Sequence, residues 1–137
     1  MNPLIETIIS RDPALRNRPF RLLCEQFSPS ELLRACAELD QFRRSADNLY
    51  ERVRASLFLY AAYRFVLQES PEFPEVGAIP HEGFQALLSR RFEEAINCFT
   101  AAMQEKGPNA ALFSALSESY HLLAFQTLSD QVRRSER

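Results

Sequence analysis

The residues whose types could do chemistry are few: His81 and His121, the cysteines Cys24, Cys36 and Cys98, and fifteen arginines against a single lysine, Lys106. Glu118-Ser119-Tyr120-His121 spells Glu-x-x-His, the spacing that puts a carboxylate and an imidazole on one helix face in di-iron carboxylate bundles. Such a centre takes two of these elements and two further Glu, and His81 has Ala78 at the matching position. No metal or other cofactor is therefore expected, and His121 reads as a helix-surface or half-buried polar residue. A cysteine nucleophile would need a histidine within reach and a third group to orient it. Cys36 and Cys98 lie instead in apolar helical stretches, where an inert core thiol is the expectation. Three cysteines with no C-x-x-C pair indicate neither a disulfide framework nor a zinc knuckle. The only glycines, Gly77, Gly83 and Gly107, are scattered, so no phosphate-cradling loop exists. The sequence reads as that of a protein that is not an enzyme.

Arginine is the remaining chemical resource. Arg43-Arg44 and Arg90-Arg91 are the candidate anion-binding pairs, able to grip a phosphate, an acidic peptide or RNA if the fold brings them together. Arg-for-Lys bias also follows from a GC-rich coding sequence, and most such pairs are solvated helix faces with acids nearby. The formal net charge is -2, with ten basic and eleven acidic residues before Pro80 and six and seven after. Neither half carries the footprint of a nucleic-acid binder.

The elements that must position these residues are helices. Asn2-Pro3 and Asp12-Pro13 each put a capping side chain before a proline suited to the first helical turn, predicting helices over 3–9 and 13–18. Pro19 opens another to about Phe27. Ser28-Pro29-Ser30-Glu31 has the form of a capping box and starts a helix through Phe42. The chain bends or restarts at Ser45-Ala46-Asp47. From Leu49 to Gln68 the apolar residues spread over more than one side, so this helix is expected at the centre. Residues 70–80 form the one long loop, with Phe73 and Val76 available to pin it. Helices follow near 82–89 and 92–105, and a third starts at Pro108 or Asn109 and runs to about Val132. Gly107 is suited to a left-handed C-cap before it. The fold class is all-α: one irregular multi-helix bundle over 1–137, with 137 residues enough for a core that needs no staples.

Within the C-terminal half, residues 83–120 resemble the tetratricopeptide repeat, a pair of antiparallel helices of about 34 residues that stacks into protein-binding solenoids. Gly83 stands where the first helix takes a small residue. Phe92-Glu93-Glu94-Ala95-Ile96, Phe99 and Ala102 match the second helix, with Ala95 where helix backbones must approach closely. Phe113, Leu116, Ser117 and Tyr120 match the first helix of a next unit. Pro80, Ala86 and Pro108 depart from the pattern, so either a single unit with a half on each side or a generic bundle fits the residues.

That resemblance implies a non-enzymatic interaction or scaffold domain with a protein or peptide partner, or a homo-oligomer. Its working surface would be a groove lined by Phe84, Phe92, Phe99, Phe113 and Tyr120, or the exposed parts of the last helix. Two alternatives stand beside it: an arginine-based anion- or nucleic-acid-binding helical domain, and an accessory helical domain of a larger enzyme, with this chain as its N-terminal part. The start Met1-Asn2-Pro3-Leu4-Ile5 has no signal-peptide pattern. The apolar run Leu57 to Tyr63 is far short of the about 20 residues needed to span a bilayer. A cytoplasmic protein without membrane contact is expected.

Overall fold

The structure is a computed structural model that describes residues 2–135. Among these the chain forms eight α-helices and no strand: α1 (Pro3–Ile9), α2 (Pro13–Arg16), α3 (Phe20–Cys24), α4 (Pro29–Ser45), α5 (Leu49–Ala61), α6 (His81–Leu88), α7 (Phe92–Lys106) and α8 (Ala110–Ser135). The all-α expectation holds. α5 is continued without a break by a π-helical segment, Ala62–Leu67, which the sequence did not signal.

Side-chain caps mark the starts of α1, α2, α4 and α5. At α4 the Glu31 N–H donates to Ser28 Oγ at 3.2 Å while the Ser28 N–H donates to Glu31 Oε1 at 2.8 Å, the reciprocal pair expected of the capping box. Asn48 Oδ1 accepts from the Glu51 N–H at the start of α5. Asn2 does two things: its Oδ1 caps Leu4 at 2.9 Å and its Nδ2 donates to the Ala35 carbonyl at 2.9 Å, tying α1 to α4. A buried amide left half-satisfied would cost about 1–3 kcal/mol, so both bonds matter.

The core is one cluster built from α1 and α3 to α8. α5 packs most extensively on α8, α8 also on α7, and α6 lies along α7. The expectation that the 49–68 helix is central is correct only in part, because α8 shares that position. Leu112, Phe113, Leu116, Tyr120, Leu123 and Ala124 of α8 are all buried. α6 and α7 meet at Gly83, where an added Cβ would stand 2.6 Å from Phe99 Cε1, too close for any side chain without movement.

The loop between the π segment and α6 is held by three contacts. Phe73 packs edge-on against Phe113, with ring centroids 5.1 Å apart. The Ala110 N–H donates to the Pro74 carbonyl at 2.8 Å. Gly77 lies so close to the Asn109 side chain, itself capping α8 through the Leu112 N–H, that a Cβ would overlap it. Val76, expected to help pin the loop, is instead 86% exposed. Gly107 ends α7 at φ 92°, ψ 158°. Its φ is positive as expected, but its ψ is extended rather than left-handed helical, which turns the chain sharply into Pro108 and α8. No helix among the described residues is long and apolar enough to cross a membrane.

Candidate functional site

The five aromatics expected to line a groove do not share one. Phe92, Phe99, Phe113 and Tyr120 are at most 2% exposed and belong to the core, leaving Phe84 alone at the surface. The expected groove is thus filled by the chain's own packing. Tyr120 stacks parallel to Tyr63, ring centroids 6.1 Å apart, and Phe113 lies against both Tyr63 and Phe73. Such residues at helical spacing serve a core or a groove equally well, and only the neighbouring helices decide between them.

The arginine pairs do not converge either. Arg43, on the inner face of α4, is 5% exposed and fully engaged. Its Nη1 and Nη2 donate to Glu93 of α7 at 2.7 and 2.8 Å, and its Nε and Nη2 donate to Asp40 Oδ1 at 3.0 and 2.9 Å. Tyr120 Oη donates to the same Asp40 oxygen at 2.8 Å. Arg44 completes the network, with Nε on Asp40 Oδ2 at 2.8 Å and Nη2 on Asn97 Oδ1 at 2.8 Å. Two guanidiniums meet two carboxylates, so little charge is left for a ligand. Arg91 is paired with Glu94, one helical turn on. Arg90, the one non-glycine residue with positive φ among those described, lays its guanidinium over the Phe92 ring, 5.4 Å from the centroid.

The electrostatics follow from this pairing. Burial pushes the Asp40 carboxyl up, but Arg43, the Tyr120 hydroxyl and Arg44 together outweigh it and hold the group below its ordinary value. Hydrogen bonding to Arg43 is the main reason Glu93 is lowered too. Burial works against the Arg43 cation, yet Glu93 and Asp40 raise its pKa overall. Desolvation pushes the Tyr63 and Tyr120 phenols well up, so both stay neutral, and Tyr120 acts as a donor. The network is an ionic latch joining α4 to α7 and α8. Beside it runs a cleft of about 350 Å³ bordered by Arg44, Arg52, Ser56, Gln126, Thr127 and Asp130.

The thiols are inert in two cases of three. Burial raises Cys24 to about 11 and pushes Cys36 up as well. Cys98, expected in the core, is only half-buried. His121 has no carboxylate partner among the described residues: it stacks on Tyr60, with ring centroids 4.5 Å apart, and meets Phe125 edge-on at 5.1 Å.

This last contact belongs to a surface that the residue types alone did not reveal. Tyr60 also packs against Phe65 at 5.7 Å, so Phe65, Tyr60, His121 and Phe125 form one unbroken aromatic ladder across α5 and α8. Phe65 and Phe125, at its ends, are 53% and 58% exposed. The π segment creates the ladder's first rung. Its i→i+5 hydrogen bonding, as from the Gln68 N–H to the Tyr63 carbonyl at 3.0 Å, brings residues five apart into line, and Tyr60 and Phe65 are five apart. Arg64 sets its guanidinium over the Phe65 ring at 5.9 Å. Along α8 the same face continues through Leu128 and Val132, both exposed. The spacing of His121, Phe125, Leu128 and Val132 was the available signal.

Comparison with protein-family models, with curated proteins and with solved structures finds no match to this chain.

Proposed function

We propose that the chain is a non-enzymatic protein-interaction module whose working surface is the aromatic ladder Phe65–Tyr60–His121–Phe125 with its extension to Val132. One observation carries this reading: two phenylalanines more than half exposed, joined through a continuous ring-to-ring path, with two exposed aliphatics on the same helix face. Exposed apolar residues scattered singly need no explanation, whereas a contiguous patch marks a contact site. Aromatic residues suit such a role because they combine large area with few torsions to freeze. Placing that patch beside a π turn adds support, since π segments gather at functional positions.

The tetratricopeptide-like reading of α6 to α8 is supported by the close approach at Gly83 and by the buried Ala95 of α7. On that reading the C-terminal helices are a scaffold, and the ladder, rather than the Phe92–Phe99–Phe113 set, is its binding face. An arginine-based anion site finds less support, because Arg43, Arg44 and Arg91 are already neutralised by carboxylates.

The test is site-specific photocrosslinking in cells that express the chain at its native level, with benzoylphenylalanine placed at Phe65, at Phe125 and, as control, at the exposed loop position Val76. Discrete adducts from positions 65 and 125 and none from 76 are expected. No discrete adduct from either aromatic position, or the same smear from all three, refutes the reading.

A further inference from the structure

The exposed half of α8 carries information about what would cover it. Its face reads His121, Phe125, Leu128, Val132, with spacings of four, three and four residues, a pattern that is the same in both directions. Two such helices laid antiparallel place every member opposite another: His121 against Val132 of the second copy, Phe125 against its Leu128, and the reverse. A two-fold axis demands such self-complementarity, because each copy must present the same patch to the other. Spacing of three and four is also what lets side chains of two helices interdigitate along a common seam.

The charges agree with that direction. Glu118 begins the exposed stretch, is itself exposed, and has no ion pair among the described residues, while Arg133 and Arg134 close it. Arg133 reaches only Asp130, at 3.8 Å. Antiparallel pairing brings the acidic end of one helix to the basic end of the other, within the Debye length of about 8 Å at physiological salt. Parallel pairing would set like charges together.

The area is adequate as well. From the exposed fractions of Phe65, Phe125, Leu128 and Val132, the apolar face offers on the order of 400 Å² per copy, about half of the roughly 800 Å² per partner in a stable interface. The exposed flanking residues Ser129, Gln131, Arg133 and Ser135 supply a polar rim for the remainder. The carboxyl-terminal turns of α8 find no cover within the monomer, since every residue from Leu128 to Ser135 is exposed.

We infer that the partner of this face is a second copy of the chain, docked by antiparallel pairing of α8 helices about a two-fold axis between Phe125 and Leu128. This rests on the interaction-module reading and names its partner. The far end of each α8 then lies on the Tyr60–Phe65 end of the other copy's ladder.

The purified full chain is followed by sedimentation equilibrium from about 1 to 200 μM, which spans the micromolar affinities at the weak end for specific interfaces. A species of twice 15.8 kDa is expected, with Phe125→Asp and Leu128→Asp each raising the dissociation constant at least about tenfold while leaving the far-UV circular dichroism unchanged. Glu118→Arg weakens the dimer, and the same chain with Arg133→Glu and Arg134→Glu added recovers it, because the swap restores opposite charges only in the antiparallel arrangement. Benzoylphenylalanine at Phe125 of the pure protein is expected to crosslink near Leu128 of the second copy. A wild-type chain that stays monomeric over the whole range, or a crosslink to a distant surface, overturns the inference. If the pure chain is monomeric but position 125 captures a different protein in cells, self-pairing fails and the interaction face stands; no adduct in either setting sinks both.

Discussion

Replacing Asp40 by alanine probes the ionic latch where it is most constrained. The carboxylate accepts four hydrogen bonds from three side chains: two from Arg43, one from Arg44 Nε and one from the Tyr120 hydroxyl. Removing it leaves the Tyr120 hydroxyl without a partner in the core, which costs about 1–3 kcal/mol. It also halves the compensation of a buried guanidinium. Cutting a buried ion pair outright costs about 3–5 kcal/mol, but Glu93 still holds Arg43 through two hydrogen bonds, so the loss belongs at or below the low end. Arg44 is one-third exposed and rehydrates. Together these give a destabilisation of about 3 kcal/mol, equivalent to roughly 10 °C in melting temperature for a domain of this size. The assay is urea unfolding followed by far-UV circular dichroism, with Tyr120→Phe and the double variant completing a cycle. Tyr120→Phe alone is expected to lose about 1.5 kcal/mol, and the double variant to lose clearly less than the sum, because the orphaned hydroxyl is gone. A loss below about 1 kcal/mol for Asp40→Ala, or strict additivity in the cycle, would show that the latch does not hold α4 to α7 and α8.

Two further outcomes follow from the same energetics. Asp40 and Glu93 are both held below their ordinary values in the fold, so their stabilisation is present above the unfolded carboxylate pKa of about 4 and is lost as pH falls through the folded values. Melting temperature should therefore be flat from about pH 7 to about 5 and drop below about 4, and a parallel drop in Asp40→Asn would exclude Asp40 as the source. Among the thiols, half-buried Cys98 should be alkylated first in the native protein, with Cys24 and Cys36 protected until unfolding; early loss of Cys36 by mass spectrometry would contradict its buried, protonated state.

Much of the architecture was legible because it is written locally. Ser28 with Glu31, Asn2 and Asp12 announce helix starts through bonds that span two or three residues, and a reader of the chain can find them without knowing the fold. The site was legible only as the exposed part of the last helix, without its residues, for the opposite reason. α8 has two apolar faces, one with Phe113, Leu116, Tyr120 and Leu123 and the other with Phe125, Leu128 and Val132, and periodicity alone does not say which one neighbouring helices cover. Asp40, three positions before Arg43, is a partner the sequence can show, but Glu93, which completes the neutralisation of Arg43, lies fifty positions away. The π segment has no proline or glycine to mark it; it is visible only once the hydrogen bonds are.

That π segment has a consequence for how the surface can change. A ring closed from residue i to i+5 encloses one residue more than an α-helical ring, so the stretch from Ala62 to Leu67 is equivalent to a single insertion in an otherwise regular helix. Deleting one residue there would let ordinary α-helical turns close with the following chain left in nearly the same register, because the extra residue is taken up within the widened ring. Tyr60 and Phe65 would then stand four apart and still share one helix face, whereas the same loss in regular α-helical turns rotates everything after it by roughly 100°. A related chain that is shorter by one position within Ala62–Leu67 would therefore keep the aromatic face, while one shortened between Phe125 and Val132 of α8 would turn the last side chains off it.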